Sequence, residues 1–189
     1  MFLVALRKEL LEQWRSYRML VTAVVFIVMG LLSPLFAKLT PQILRLLPQG
    51  EEIAKLVPPP SAVDAVAQYI KNISQFGVIL ALVTAMGAVA QEKDKGTAAL
   101  MLVKPLPRGA FLGAKFAAFA TTFLISTAFA GLGCYYYTLL LFEPLDLGGW
   151  LALNGLMWLF LFVYVALTIF CSSLTRSQAV AGGLAFGAL

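Results

Sequence analysis

The chain has 189 residues, 61% of them apolar and 12% charged, with a formal net charge of +5 and a mean hydropathy of +0.89. Soluble domains are about 45–50% apolar, and a soluble fold of this size has too little interior to hide the excess, so lipid is the expected solvent. With no histidine and two cysteines there is no imidazole for general-base work and no Cys/His zinc spacing, and the basic residues flank apolar runs instead of clustering on a soluble face, which excludes a nucleic-acid surface.

Residues 1–18 are amphipathic. Leu3, Leu6, Leu10, Trp14 and Tyr17 follow three- and four-residue steps along one helical face, and Lys8, Glu9, Glu12, Arg15 and Ser16 take the other. Acidic residues in the middle rule out a signal peptide. The pattern predicts a helix lying in the membrane interface, marked by Leu6, Leu10, Trp14 and Arg15, with its basic side toward anionic headgroups.

Residues 19–37 carry no charge and are long enough to form a first span, with Pro34 near its end. Residues 38–71 form an extracytoplasmic segment rich in proline. Its apolar residues Ile43, Leu44, Leu46 and Leu47, and again Val63, Val66, Ala67 and Ile70, predict short helices skirting the membrane. Asn72-Ile73-Ser74 matches a glycosylation sequon but abuts a span and carries little weight.

Residues 73–90 are the second expected span, with Gly77, Ala81 and Ala85 as a stripe for close helix approach. Residues 116–142 are the third, with a similar stripe of Gly113, Ala117 and Thr121 around its start. Glu143 to Asp146 and Gly148-Gly149 predict a tight turn, flanked by Tyr135, Tyr136, Tyr137 and Trp150 as an aromatic belt. Residues 150–171 are the fourth span, Ser172 to Arg176 a short loop, and residues 177–189 a fifth apolar run. Thirteen residues reach only about 20 Å against a core of roughly 30 Å, so the fifth span reads as cut short. Cys134 and Cys171 fall near opposite faces, too far apart for a disulfide, and read as packing residues.

With a cytoplasmic N-terminus, ten basic residues lie inside and Lys38, Arg45, Lys55 and Lys71 outside, which obeys the positive-inside rule. Residues 91–115 are then a cytoplasmic loop. Six of its charges fall between Glu92 and Arg108, and burying them at the bilayer centre would cost about 15 kcal/mol. Gly96 breaks the preceding helix, Thr97 can cap a new one and Pro105 ends it after two turns. The short helix presents Leu100, Met101 and Leu102 either to a groove on a partner or to the bilayer surface.

The run Glu92-Lys-Asp-Lys-Gly96-Thr97, then Leu100-Met101-Leu102, then Pro105-Leu106-Pro107-Arg108, then Lys115, resembles ABC type-2 exporter permeases. Arg7-Lys8-Glu9-Leu10 ahead of Trp14-Arg15-Ser16 resembles the N-terminal helix of the same family, and the order of elements agrees along the chain. The resemblance implies an all-α, polytopic transmembrane helical bundle with an N-terminal interfacial helix, of six spans in full, the last one and a half missing here. It implies two permease halves, a second copy or a paralogue. Each half docks a separate ATP-binding cassette ATPase through the N-terminal helix and the short coupling helix. Glu92, Gly96, Thr97, Leu100, Met101, Leu102, Pro105 and Arg108 would form that ATPase interface, with Glu92 paired to a nearby basic group. For any one of them a direct contact and a plain structural role are both open.

The implied function is export of a substrate across the cytoplasmic membrane, with ATP and magnesium held by the partner and no cofactor, metal or catalytic residue on this chain. No G-x-x-x-x-G-K-[ST] phosphate loop occurs in the sequence, in keeping with that division of labour. An ion-coupled secondary transporter would need ionisable groups inside the spans, which the apolar runs lack. Polar residues such as Thr22, Thr84, Thr121, Thr122, Ser126, Thr127, Asn154 and Thr168 are expected mainly to bond their own helices. An intramembrane enzyme would need an H-E-x-x-H or G-x-S-x-G motif, also absent. A membrane scaffold that moves nothing is the remaining alternative.

Overall fold

In hydrocarbon a backbone amide finds no water, so each apolar run must satisfy its own N–H and C=O groups, and the helix is the local solution. The computed structural model describes residues 2–45, 59–96 and 107–188. Among these residues it is all-helical: α1 (Phe2–Arg15), α2 (Arg18–Arg45), α3 (Ala62–Ala85), α4 (Ala90–Asp94), α5 (Arg108–Leu141), α6 (Leu147–Leu174) and α7 (Gln178–Gly187). Four stretches are long and apolar enough to cross a membrane: Arg18–Ile43, Ala62–Asp94, Gly109–Leu141 and Leu147–Leu174. The result is a polytopic helical bundle.

The helices overrun the expected spans. Pro34 does not end α2, which continues through it and through Pro41 to Arg45. A proline inside a spanning helix is tolerated because neighbouring groups re-satisfy the freed backbone. Ile43 therefore belongs to α2, and Val63, Val66, Ala67 and Ile70 belong to the first turns of α3, instead of to separate surface helices. Leu46 and Leu47 lie outside the described residues. The start of α3 is fixed by a capping box, in which Ser61 Oγ accepts from the Asp64 amide and the Asp64 carboxylate accepts from the Ser61 amide.

At the second turnaround Asp146 caps α6 by accepting from the Gly149 amide at 2.6 Å, so Gly148 and Gly149 form its first turn and only residues 142–146 connect the helices. The end of α6 reaches Leu174, which leaves Thr175 to Ser177 as the loop before α7. Tyr17, between α1 and α2, has φ of 59°, a left-handed conformation that lets the chain turn sharply out of the first helix.

The core is built where α2, α3, α5 and α6 meet, on Phe26, Tyr69, Ile73, Phe119, Phe123, Leu161 and Val165. Phe26 and Phe123 pack edge to face with ring centroids 5.8 Å apart. Close approach comes from small residues. Gly77 sits under Leu161 and Phe26, and Ala81 and Ala85 of the same stripe are buried, as that stripe predicts. On α5 the buried small residues are Ala114, Ala118 and Thr122, one step round from the expected Gly113, Ala117 and Thr121, which stay half-buried. The closest backbone approach is one the sequence did not reveal. Gly30 of α2 lies against Ala130 of α5 so tightly that an added methyl would meet the Ala130 carbonyl.

Outside this core the large side chains are apolar, among them Leu132, Leu156 and Val163, each more than 60% exposed, which is the surface a helical bundle presents to lipid. Trp150 is not part of an exposed belt. It is buried, with Tyr69 at 5.1 Å and Tyr135 at 6.2 Å between centroids. Tyr136, by contrast, is 60% exposed.

Candidate functional site

The first helix shows how the site is assembled. Its apolar residues Leu3, Trp14 and Tyr17 face outward, and Leu6 and Leu10 are half-buried, whereas Glu9 and Gln13 are buried against α5. Part of the polar face, Glu9 with the neighbouring Gln13, is thus turned into the protein, while Glu12, Arg15 and Ser16 stay exposed. Beyond a lipid-facing surface the usual soluble pattern is reversed, because the polar groups find their partners inside.

The partner of Glu9 is Lys115, near the start of α5 and only 2% exposed. Its ammonium donates to Glu9 Oε2 at 2.9 Å and to Glu92 Oε1 on α4 at 2.8 Å. Lys115 is the centre of a buried ion pair joining three separate segments of the chain. Lys8 adds a second cation, 3.0 Å from Glu9, 3.1 Å from Glu12 and 3.3 Å from Glu92. The carboxylates of Glu9, Glu12 and Glu92 lie close enough together to hold a cation, and the two ammonium groups fill that role.

Partial burial disfavours the Lys8 charge, but the hydrogen bonds and charges of its three glutamates outweigh it and raise its pKa well above the usual lysine range. Partial burial likewise favours the neutral form of Glu12, yet Lys8 prevails and holds its carboxyl below the ordinary value.

Contacts to neutral side chains extend the junction. Arg18, at the start of α2, donates to Gln91 Oε1 at 3.3 Å, and the Thr122 hydroxyl donates to Gln13 Oε1. A cavity of about 20 Å³ lies between Glu9, Gln13, Arg18, Gly87, Glu92 and Lys115, room for about one water. The buried Gln13 Nε2, which has no protein partner among the described residues, lines it. A water there would supply the missing acceptor.

Of the residues singled out from the sequence, Glu92 and Gly96 are placed. Glu92 has the basic partners expected of it, and Gly96 ends the helical stretch with φ of +70°, in the left-handed region that glycine adopts without strain, and none of the described residues comes within 4 Å of where a Cβ would sit. Arg108 begins α5. Thr97, Leu100, Met101, Leu102 and Pro105 lie outside the described residues. Glu9, Gln13, Lys8 and Thr122 were not assigned a role in a buried junction. A signal existed: Glu9 and Gln13 are one turn apart on α1, and Lys115 and Thr122 two turns apart on α5, giving two polar stripes that match.

Elsewhere the polar residues of the bundle mostly bond their own helices, as Thr22, Thr84, Thr121, Ser126 and Thr168 each do to the carbonyl four residues back. The exceptions join helices. Asn72 donates to Ser33 Oγ at 3.0 Å, and Tyr69 donates to Asn154 Oδ1 at 2.7 Å. Asn72 is therefore a buried packing contact, which agrees with the small weight given to its sequon. Both cysteines are buried and free.

Among the described residues the arrangement is a cluster of paired charges around a cavity with room for about one water. Residues 3–189 match the family model described as ABC-2 family transporter protein. The chain is 29% identical over 186 residues to the uncharacterized transmembrane protein YxlG of Bacillus subtilis strain 168, covering 96% of this chain and 71% of that protein. No solved structure matches. The chain therefore belongs to the ABC-2 transporter family, as a multi-pass, membrane-spanning permease.

Proposed function

We propose that the chain is the membrane subunit of an ATP-driven exporter in the cytoplasmic membrane, with its N-terminus on the cytoplasmic side. It works as a pair with a second copy or a paralogue. A separate cassette ATPase holds the ATP and magnesium, and this chain binds neither. The observation that carries the reading is Lys115, which ties α1, α4 and α5 into one charged joint. In the family, α1 and the segment after α4 are the elements that meet the ATPase. Fastening α1, and α4 which leads into that segment, to the same lysine of a spanning helix would give a path from that subunit into the bundle. The excess of basic residues on the proposed cytoplasmic side supports the orientation. Glu92 and Gly96, with Thr97, Leu100, Met101, Leu102, Pro105 and Arg108, would form the docking surface.

The test is co-purification of the full-length protein with its cassette ATPase, comparing wild type with L100D/L102D. The reading expects a stable complex for wild type and its loss in the variant while membrane insertion is unchanged. An intact complex in the variant would remove the docking role of this segment, and absence of any ATPase partner would overturn the reading.

A further inference from the structure

The second spanning stretch is broken between α3 and α4, and the break has a specific cause. In a continuous helix the Ala90 amide would bond the Met86 carbonyl. Here the Ser172 hydroxyl of α6 stands between them: it accepts from Ala90 N at 3.0 Å and donates to Met86 O at 2.7 Å. It also accepts from Val89 N at 3.1 Å. One donor and two acceptor positions are all that a serine hydroxyl has, so its capacity is used completely. The Ala85 carbonyl, which Val89 would otherwise use, takes the Ala88 amide at 3.0 Å, and regular bonding resumes at Gln91 N to Gly87 O. A side chain inserted into the ladder is one of the few recognised causes of a sharp helix break.

We propose that Ser172 is the pin of a two-state hinge in this stretch. With the hydroxyl inserted, α3 and α4 are separate elements. With it withdrawn, Ala90 N returns to Met86 O and Val89 N to Ala85 O, and the segment closes into one helix. The displaced hydroxyl has an acceptor ready, the Thr168 carbonyl one turn back on α6, the same kind of bond that Thr168 makes to Tyr164. Each state satisfies the same number of groups, which is what allows two states of similar free energy in a medium that punishes unpaired amides.

The surroundings fit a moving part. Lys93 of α4 donates to the Ser173 carbonyl, and Gln178 of α7 lies beside Gly87. Closing the helix would turn α4, and with it Glu92, relative to Lys115. On the permease reading, on which this consequence rests, the hinge would set whether the ATPase-facing segment is coupled to the fourth span.

The hinge itself is tested without an ATPase. Nitroxide labels on Ile79→Cys and Asp94→Cys, two positions on the outer surface, are placed in the full chain with C134A and C171A, in lipid vesicles. A continuous helix puts these residues about 22 Å apart. The population at that spacing is expected to be minor in wild type and enriched about tenfold in S172A, which loses the inserted bonds, while S172T keeps the wild-type distribution. Should S172A fail to fold, S172V, which fills the space of threonine without the hydroxyl, is expected to shift the population the same way. Identical distributions in wild type and the folded variant, or S172T behaving as S172A, would overturn the hinge. That outcome leaves the permease reading standing, and loss of the permease reading leaves the distance result standing.

Discussion

Replacing Lys115 by methionine removes the cation from between two carboxylates while keeping an unbranched apolar stem. Lys115 is buried, and its two hydrogen bonds of 2.9 and 2.8 Å tie α1 and α4 to α5, beside the direct contact of Lys8 with Glu92. Breaking a buried pair by removing one partner costs about 3–5 kcal/mol, because the other charge stays in place uncompensated. Lys8 still reaches both Glu9 and Glu92 and is itself partly solvated, so the lower end, about 3 kcal/mol, applies. At about 2–4 °C per kcal/mol for a chain of this size, K115M should lower the melting temperature by about 6–12 °C, read by tryptophan fluorescence in detergent micelles. The control is the triple variant E9Q/E92Q/K115M. It buries no unpaired charge and should recover most of the loss, since polar neutral groups cost far less to bury than ions. A melting temperature for K115M within about 2 °C of wild type, or a triple variant less stable than K115M, would refute the ion-pair account.

Further predictions follow from the packing. Gly30→Ala presses a methyl onto the backbone of Ala130, which cannot rotate away, and should cost about 1–3 kcal/mol in the same melting assay. Asn72→Ala removes one interhelical hydrogen bond to Ser33, so a smaller loss of about 0.6–1.7 kcal/mol is expected. Gly96→Ala forces a side chain into a left-handed conformation; a local rise of roughly tenfold in amide exchange around residues 93–96 should report the cost of about 1–2 kcal/mol. For Glu12, whose carboxyl is held below its ordinary value despite partial burial, the pairing with Lys8 stabilises at pH above about 4.5 and is lost as pH falls through the lowered value. Because the pair is half exposed, E12Q should cost only a few tenths of a kcal/mol above about pH 4.5, a difference that vanishes as pH falls through the lowered value.

The sequence made the spans legible because uncharged runs have few other uses, and it made the Gly96 break legible because that follows from local chemistry; the pairing of Glu92 was implied by the family resemblance alone, since its partners Lys8 and Lys115 lie far along the chain. Boundaries were harder. Pro34 signals a helix end in water, yet α2 runs through it, since leaving a helix within lipid costs more than bending one. The first helix is amphipathic as its spacing predicts, and Glu12, Arg15 and Ser16 of its polar face are exposed; Glu9 of the same face is instead turned inward, where the buried Lys115 pairs with it. Ser172 gave no warning at all. Read as a loop residue, it sits in the last turn of α6, and its meaning depends on a helix break more than eighty residues away.

Whether the joint at Lys115 transmits motion is measured most directly in the reconstituted complex of the full-length permease with its cassette ATPase. Labels on Trp14→Cys of α1 and Leu132→Cys of α5 report the distance across the joint in the nucleotide-free and ATP-trapped states. The account predicts a nucleotide-dependent shift in wild type that disappears in K115M while the complex stays assembled. An equal shift in both proteins, or none in wild type, would contradict it.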